Sequence, residues 1–311
     1  MTTRASLTAV SGITVGHANV PAHGTGCTVI LGPPAGLRAA VALRGRATGT
    51  REIDPLSPRH LVERIDAICL PGGSAYGLGA ADGVMRWLRE RGRGLPVGPL
   101  GTIPIVPTAV IFDLGNAGTP VGWPGPDDGY RACEAAGEDF AEGRVGVGSG
   151  ATVGKAAGID KMMPAGVGTW AERAGEVVVG VLTVLNAVGD VRDARGEIIA
   201  GARGPDGRFL DSMRYLANGG APFGDPERLT RNTTLAVIAT NADLDRVQLV
   251  ALAEAGSDAL ARRITPYGTL YDGDVVFAVS TAAVPAASAL QVESLAGLAV
   301  PIAVERAVRR A

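Results

Sequence analysis

The sequence predicts one layered α/β domain, and three observations carry that reading. The 311 residues are 46% hydrophobic but only 4% aromatic and include 45 glycines, a composition for a large core of Ala, Val and Leu with many close backbone approaches. Runs too rich in β-branched residues to prefer helix alternate loosely with helical segments. No repeat and no long linker divides the chain, so residues 1–311 read as one unit.

Taken in order, Ser57-Pro58 has the form of a helix start, with Ser as N-cap and Pro at the first helical position, and His60 to Ile65 leads on toward a strand at Ala67 to Leu70. Pro71-Gly72-Gly73-Ser74 turns the chain into a helix near Ala80 to Arg91. The run from Glu176 to Val191 reads as a buried strand. Leu235 to Thr240 and Val275 to Ser280 are two more, separated by an amphipathic helix from about Asp245 to Arg263. A last helix, about Ser288 to Arg309, contains Pro301, and a kink or break is expected there. The Gly/Pro-rich stretch Asn218 to Asp225 comes closest to a linker, and it stands just before Arg231-Asn232-Thr233-Thr234.

Charge and composition exclude several classes. A net charge of -2 with interspersed signs offers no basic stripe for nucleic acid and no cationic face for a membrane. Met1 to Thr8 lacks the apolar centre of a signal peptide, and no apolar run reaches the ~18 residues that span a bilayer, so a cytoplasmic protein is expected. Cys27, Cys69 and Cys133 are odd in number and widely spaced, which predicts free buried thiols. His17, His23 and His60 have no metal-ligand spacing, and no Gly-x-Ser-x-Gly elbow is present. Neither a metal nor another cofactor is expected, and amide chemistry here must do without His. Gly148 to Ala156 looks like a phosphate-cradling loop, but Ser149 and Ala156 stand where that motif needs Gly and Ser or Thr. Pro71 to Gly77 has the form of an anion cradle at a helix start, yet fits no dinucleotide fingerprint.

Other residues point to a nucleophile. If the chain is cut before Thr233, that residue carries a free α-amine beside its own hydroxyl, a nucleophile with a built-in base. Asn232-Thr233-Thr234 taken alone also fits a glycosylation sequon or an ordinary strand. Lys155 and Lys161 are the only lysines beside 27 arginines, so a Lys in an apolar, Gly-rich setting suggests a need for a compact ammonium. Asp272 and Asp274 put two carboxylates at a strand mouth. Asn186 interrupts an otherwise apolar strand, where a buried amide must serve as a structural bridge or an oxyanion donor.

Five stretches, in order, resemble one family: Gly12-Ile13-Thr14-Val15-Gly16-His17, Gly24-Thr25-Gly26-Cys27-Thr28-Val29, Pro71 to Leu78, Ala109-Val110-Ile111-Phe112-Asp113, and Asn232-Thr233-Thr234. The chain is similar almost end to end to the self-processing DmpA-type L-aminopeptidase/D-esterase family, which includes β-peptidyl aminopeptidases and the nylon-oligomer hydrolase. The resemblance implies a four-layer αββα sandwich, self-cleavage after Asn232 into residues 1–232 and 233–311, and Thr233 as nucleophile. It implies roles for Lys155, Asn186, Asp272 and Asp274 around that nucleophile. Phe112 stands where the nylon-oligomer hydrolase has a site tyrosine, which leaves Tyr76 as an alternative phenol toward the substrate. A tetramer of processed heterodimers acting on small amides or peptides is implied as well. Two other functions stay open: acyl transfer to an amine, as in the ornithine acetyltransferases, and a non-catalytic binding protein that keeps the fold.

Overall fold

Strand Val177–Asn186 is buried along its whole length, and its side chains alternate between two different cores. Val177, Val179 and Val181 enter one, while Val178, Leu182 and Val184 enter the other. A strand covered on both faces needs apolar residues at every position, which is why this run reads as continuous rather than alternating. Strands Thr233–Ala242 and Val275–Val284 behave alike, with Ile238 and Ala278 on one side and Val237 and Phe277 on the other.

The computed structural model describes residues 5–220, 232–285 and 288–311. Its larger sheet runs Val167–Ala174, Val177–Asn186, Thr233–Ala242, Val275–Val284, Leu37–Leu43, Arg64–Ile65. Neighbours pair antiparallel except Thr233–Ala242 with Val275–Val284, which are parallel. A parallel pair requires a crossover, and helix Arg246–Ala261 supplies it, opened by a capping box between Asp245 and Gln248. The smaller sheet runs Thr14–Val20, Thr25–Leu31, Ala67–Pro71, Thr108–Ala109, Thr50–Arg51.

Three cores fill the three gaps between layers. Ile30, Ile68 and Leu70 of the smaller sheet meet Leu182, Val237 and Phe277 of the larger. Helices Arg246–Ala261 and Ala289–Arg309 cover the outer face of the larger sheet. Helices Ala80–Glu90 and Pro126–Glu134 cover the smaller one, packing Val84, Leu88 and Ala132 on Val29 and Cys69. The result is the expected four-layer αββα sandwich. Close helix-to-sheet contact depends on glycine: a Cβ at Gly16 would lie 1.9 Å from the Ala132 carbonyl oxygen, and one at Gly168 would lie 2.1 Å from that of Ala303.

Some local expectations fail. No helix follows Ser57-Pro58; a 3-10 turn at Asp54–Leu56 and irregular chain lead to strand Arg64–Ile65, where His60 Nδ1 accepts the Val62 N–H. So few residues before a strand cannot repay helix nucleation. Helix Ala289–Arg309 continues through Pro301, because Ala299, Val300, Ala303 and Val304 bury its inner face on both sides of the proline. Gly148 to Ala156 forms a 3-10 turn and a short strand rather than the helix start that a nucleotide cradle needs. The cradle at Pro71 to Ser74 is filled by the protein itself, for Gly73 N–H donates to Asp113 Oδ1. The three cysteines are free and buried, as expected. Residues 221–231, which include most of the Asn218 to Asp225 stretch and Arg231, lie outside the described residues. Among those described, no helix is long and apolar enough to cross a membrane and no cluster of side chains has the makings of a metal site.

Candidate active site

Register brings the distant residues together. Asn186 ends its strand directly opposite Thr233, the first residue of the next. The parallel neighbour begins at Val275, so Asp272 bridges Asn232 and Asp274 lies beside Thr234. Lys155 arrives on a separate segment, held where its N–H donates to Val188 O and that of Gly154 to Gly189 O, both at 2.9 Å. Gly154 has φ +73°, and a Cβ on it would lie 2.1 Å from Ala202 N; only glycine lets the lysine segment in so closely.

The Thr233 hydroxyl donates to the carbonyl oxygen of Asn232 at 2.5 Å, and Gly273 N–H donates to that same oxygen at 3.0 Å. Asn232 Oδ1 is buried without a partner among the described residues. Asp274 accepts Thr234 N–H at 2.5 Å and Gly268 N–H at 3.0 Å on its two oxygens. Asp272 Oδ2 accepts both the N–H and the hydroxyl of Thr269. Its Oδ1 makes no well-formed hydrogen bond, although the Val188 N–H lies near enough to favour its charge. Lys155 Nζ donates to the backbone and side-chain oxygens of Asn186, each at 2.7 Å. Asn186 Nδ2 in turn donates to Phe112 O at 3.0 Å.

All five polar residues named for this site are buried: Lys155, Asn186, Thr233, Asp272 and Asp274. Burial, and then the charge of Asp272, push the Asp274 carboxyl well above the usual carboxylate range, against the pull of its Thr234 and Gly268 donors. Burial also raises Asp272, opposed by its Thr269 bonds, the Val188 N–H and the positive charge of Lys155. A fourth charged residue has no role assigned from the sequence. Asp113 is buried, accepts Thr25 Oγ1 at 2.5 Å and Gly73 N–H at 2.7 Å, and is raised by burial while Lys155 lowers it. The signal was there in an acidic residue that closes the apolar run Ala109 to Phe112.

A cavity of about 330 Å³ opens onto Asn232 and Thr233, walled by residues 47–49, Ser74, Ala75, Val110 and Phe112. Phe112 is therefore placed at the site. The Tyr76 ring is not among these walls: it is 62% exposed and stacks on Trp123 at 4.3 Å. A larger groove of about 930 Å³ beside Arg51, Asp82 and Leu100 includes none of the buried polar residues. None of the histidines lines the cavity either, and His17 is tied to Thr28 and Ala141.

Residues 5–311 match the model of peptidase family S58. An uncharacterized aminopeptidase of Mycobacterium tuberculosis is 45% identical over 302 residues, covering 90% of this chain and 82% of that protein. A 6-aminohexanoate-oligomer endohydrolase of Kocuria is 34% identical over 274 residues, covering 87% of this chain and 73% of that protein. Among solved structures, a Burkholderia β-aminopeptidase superposes with a TM-score of 0.68 at 22% identity, covering 97% and 85% of the two chains. The L-aminopeptidase D-Ala-esterase/amidase of Ochrobactrum anthropi, described as a variant among Ntn hydrolase folds, gives 0.65 at 20% identity, covering 99% and 86%. Matched across nearly its whole length, this chain belongs to peptidase family S58, the DmpA-type aminopeptidases its motifs resemble, and is an amidohydrolase.

Proposed function

We propose that the protein cuts itself between Asn232 and Thr233 and then hydrolyses amide bonds of short peptides or ω-amino-acid oligomers, such as those of 6-aminohexanoate, through an acyl-enzyme on Thr233. The observation that carries this reading is the Asn232 carbonyl, held by Gly273 N–H at 3.0 Å with the Thr233 hydroxyl 2.5 Å from its oxygen. Gly273 N–H polarises that carbonyl and is placed to receive the oxyanion. In self-cleavage, Thr233 Oγ adds to the Asn232 carbonyl carbon, the C–N bond breaks, and the hydroxyl proton passes to the departing nitrogen. Water then hydrolyses the ester, leaving an Asn232 carboxylate and a free Thr233 amine. Holding both groups in one chain replaces a bimolecular encounter by a unimolecular step.

In turnover, the α-amine of Thr233 takes the hydroxyl proton as Oγ attacks the substrate carbonyl, then gives it to the leaving amine; its reference pKa of about 8 suits neutral pH. The charge of Lys155 opposes protonation of that amine, while Asp272 and Asp274 orient it. Asn186 is the oxyanion donor, and loss of one such donor typically costs about 2.7 to 4 kcal/mol of transition-state stabilisation. A tetramer of processed heterodimers completes the proposal, supported by the family resemblance.

A denaturing gel tests it. With a chain mass of 31.5 kDa, cleavage gives fragments of about 23 and 8 kDa, scaled by residue number, with the smaller beginning at Thr233. Thr233→Ala is expected as one intact, inactive band, whereas Thr233→Ser still processes. An intact wild-type chain with full amidase activity would overturn the mechanism.

A further inference from the structure

We infer that Ser74 is a substrate-binding residue of this site: its hydroxyl hydrogen-bonds the amide that Thr233 attacks, and the strained turn that carries it fixes its place in the cavity wall. This rests on the reading of Thr233 as nucleophile. Ser74 walls the cavity that opens onto Asn232 and Thr233, and its φ is +55°. Residues other than glycine enter that left-handed region at a cost, and they persist there only where the surroundings over-determine the backbone. Among the described residues nineteen positive-φ positions are glycine and four are not: Glu52, Ser74, Asp211 and Ala282. Of those four, Ser74 alone belongs to the cavity wall.

The turn is held at each step. Gly72 N–H donates to Gly26 O at 2.9 Å, Gly73 N–H to Asp113 Oδ1 at 2.7 Å, and Ser74 N–H to Ile111 O at 2.9 Å. Its first two residues have to be glycine, because a Cβ on Gly72 would lie 2.1 Å from Thr25 Oγ1 and one on Gly73 would lie 2.3 Å from Trp123 Cβ. Position 74 is different: glycine would suit its backbone better, yet the turn carries a serine there. Two of the other strained residues hold the fold with their side chains. Glu52 Oε2 accepts Val106 N–H at 2.8 Å, and Asp211 Oδ1 accepts Arg214 N–H at 3.2 Å. Ser74 is half-buried at the mouth of the nucleophile's cavity. A serine hydroxyl both donates and accepts, which matches the carbonyl and the N–H of an amide. Carried on a backbone already fixed beside Thr233, it orients the amide without first having to be ordered itself.

The test compares Ser74→Ala and Ser74→Gly with the wild type in self-cleavage on a denaturing gel, in melting temperature, and in kcat/KM of the processed protein. The substrates are alanine p-nitroanilide and linear 6-aminohexanoate oligomers, whichever the wild type turns over. Ser74→Ala removes the hydroxyl and keeps the strain, whereas Ser74→Gly removes both. Both variants are expected to self-cleave to the wild-type extent and to lose at least tenfold in kcat/KM. Ser74→Gly should melt no lower than the wild type and Ser74→Ala no higher. Lost turnover in a cleaved variant at least as stable as the wild type separates substrate binding from a merely structural role. A kcat/KM within twofold of wild type in either variant, or a loss no larger than the uncleaved or unfolded fraction explains, overturns the inference and leaves Thr233 as nucleophile. A cleaved wild-type chain that turns over neither class of substrate overturns both.

Discussion

Lys155→Arg keeps the charge and changes only its shape, so it asks whether a compact ammonium is required. Two acceptors of a single residue, the Asn186 carbonyl and its Oδ1, converge on Nζ at 2.7 Å each. Bonds of this charged kind are worth about 1.5 to 3 kcal/mol apiece. The side chain is 1% exposed and ranks among the largest that are fully buried, so a bulkier guanidinium must displace its surroundings at about 1 to 3 kcal/mol. Its planar fork also brings more donors than the two oxygens satisfy. The displaced group is Asn186, which faces Thr233 across the ladder, and a shift of about 1 Å in such a group costs roughly 10²-fold in rate. The expected result is a folded protein whose kcat/KM falls 10- to 100-fold, about 1.4 to 2.7 kcal/mol, measured on processed enzyme beside its melting temperature. Wild-type kcat/KM in a folded, processed variant would remove Lys155 from the mechanism.

Two further outcomes follow from buried titratable groups. Burial pushes His17 down to about 4 from 6.5; the stability of its neutral form is full above pH 6.5 and is lost as pH falls through about 4, a contribution of at most about 3 kcal/mol. His17→Gln should therefore flatten the acid limb of the unfolding free energy between those values, and an unchanged limb would refute this role. Asp113→Asn preserves the shape that holds Gly73 while removing a carboxyl whose pKa burial raises. Its stability at pH 7 should be no lower than wild type, because an ionised buried group is gone, while kcat/KM drops severalfold with the charge facing Lys155; equal activity in denaturant-matched samples would show Asp113 to be structural only.

The layers were legible where chemistry is repetitive. Val177–Asn186 is legible from β-branched residues at six of its ten positions, and the last two long helices lie where the sequence places them, opened by Asp245 and Ser288 caps that only the structure shows. Lys155 stood out through the scarcity of lysine. Partner choice was not legible, because period-two patterning gives a strand its faces but not its neighbour; the Asn186 to Thr233 pairing became visible only through the register. The donors that hold Asp274 escaped for a different reason, since they are backbone N–H groups of Thr234 and Gly268 and any residue but proline carries one. The search for a phenol to replace the one absent at Phe112 led to Tyr76, but Trp123 offers that ring a stacking partner at the surface. Segment 58–63 misled because its Ser-Pro signal is local, whereas the strand at Arg64–Ile65 is fixed by its pairing with Leu37–Leu43.

The charge balance of the site gives the proposed self-cleavage a physical purpose. Asp113, Asp272 and Asp274 are each raised by burial, and Lys155 is the ammonium that acts on two of them. The uncut chain therefore holds excess buried acidity at a cost, and an Asn232 amide oxygen with no partner among the described residues adds to that cost. On the proposed reading, cleavage delivers an amine next to Thr234, whose N–H already binds Asp274, and frees Asn232 from its fixed place in the chain. The acidic pair then favours the protonated amine, and Lys155 opposes it. A base for Thr233 must be unprotonated near pH 7 yet still bind a proton well enough to take one from the hydroxyl. The carboxylates alone would hold the amine as an inert ammonium, and the lysine alone would leave it too weak a base, so both signs of charge have to converge on the first residue of this strand.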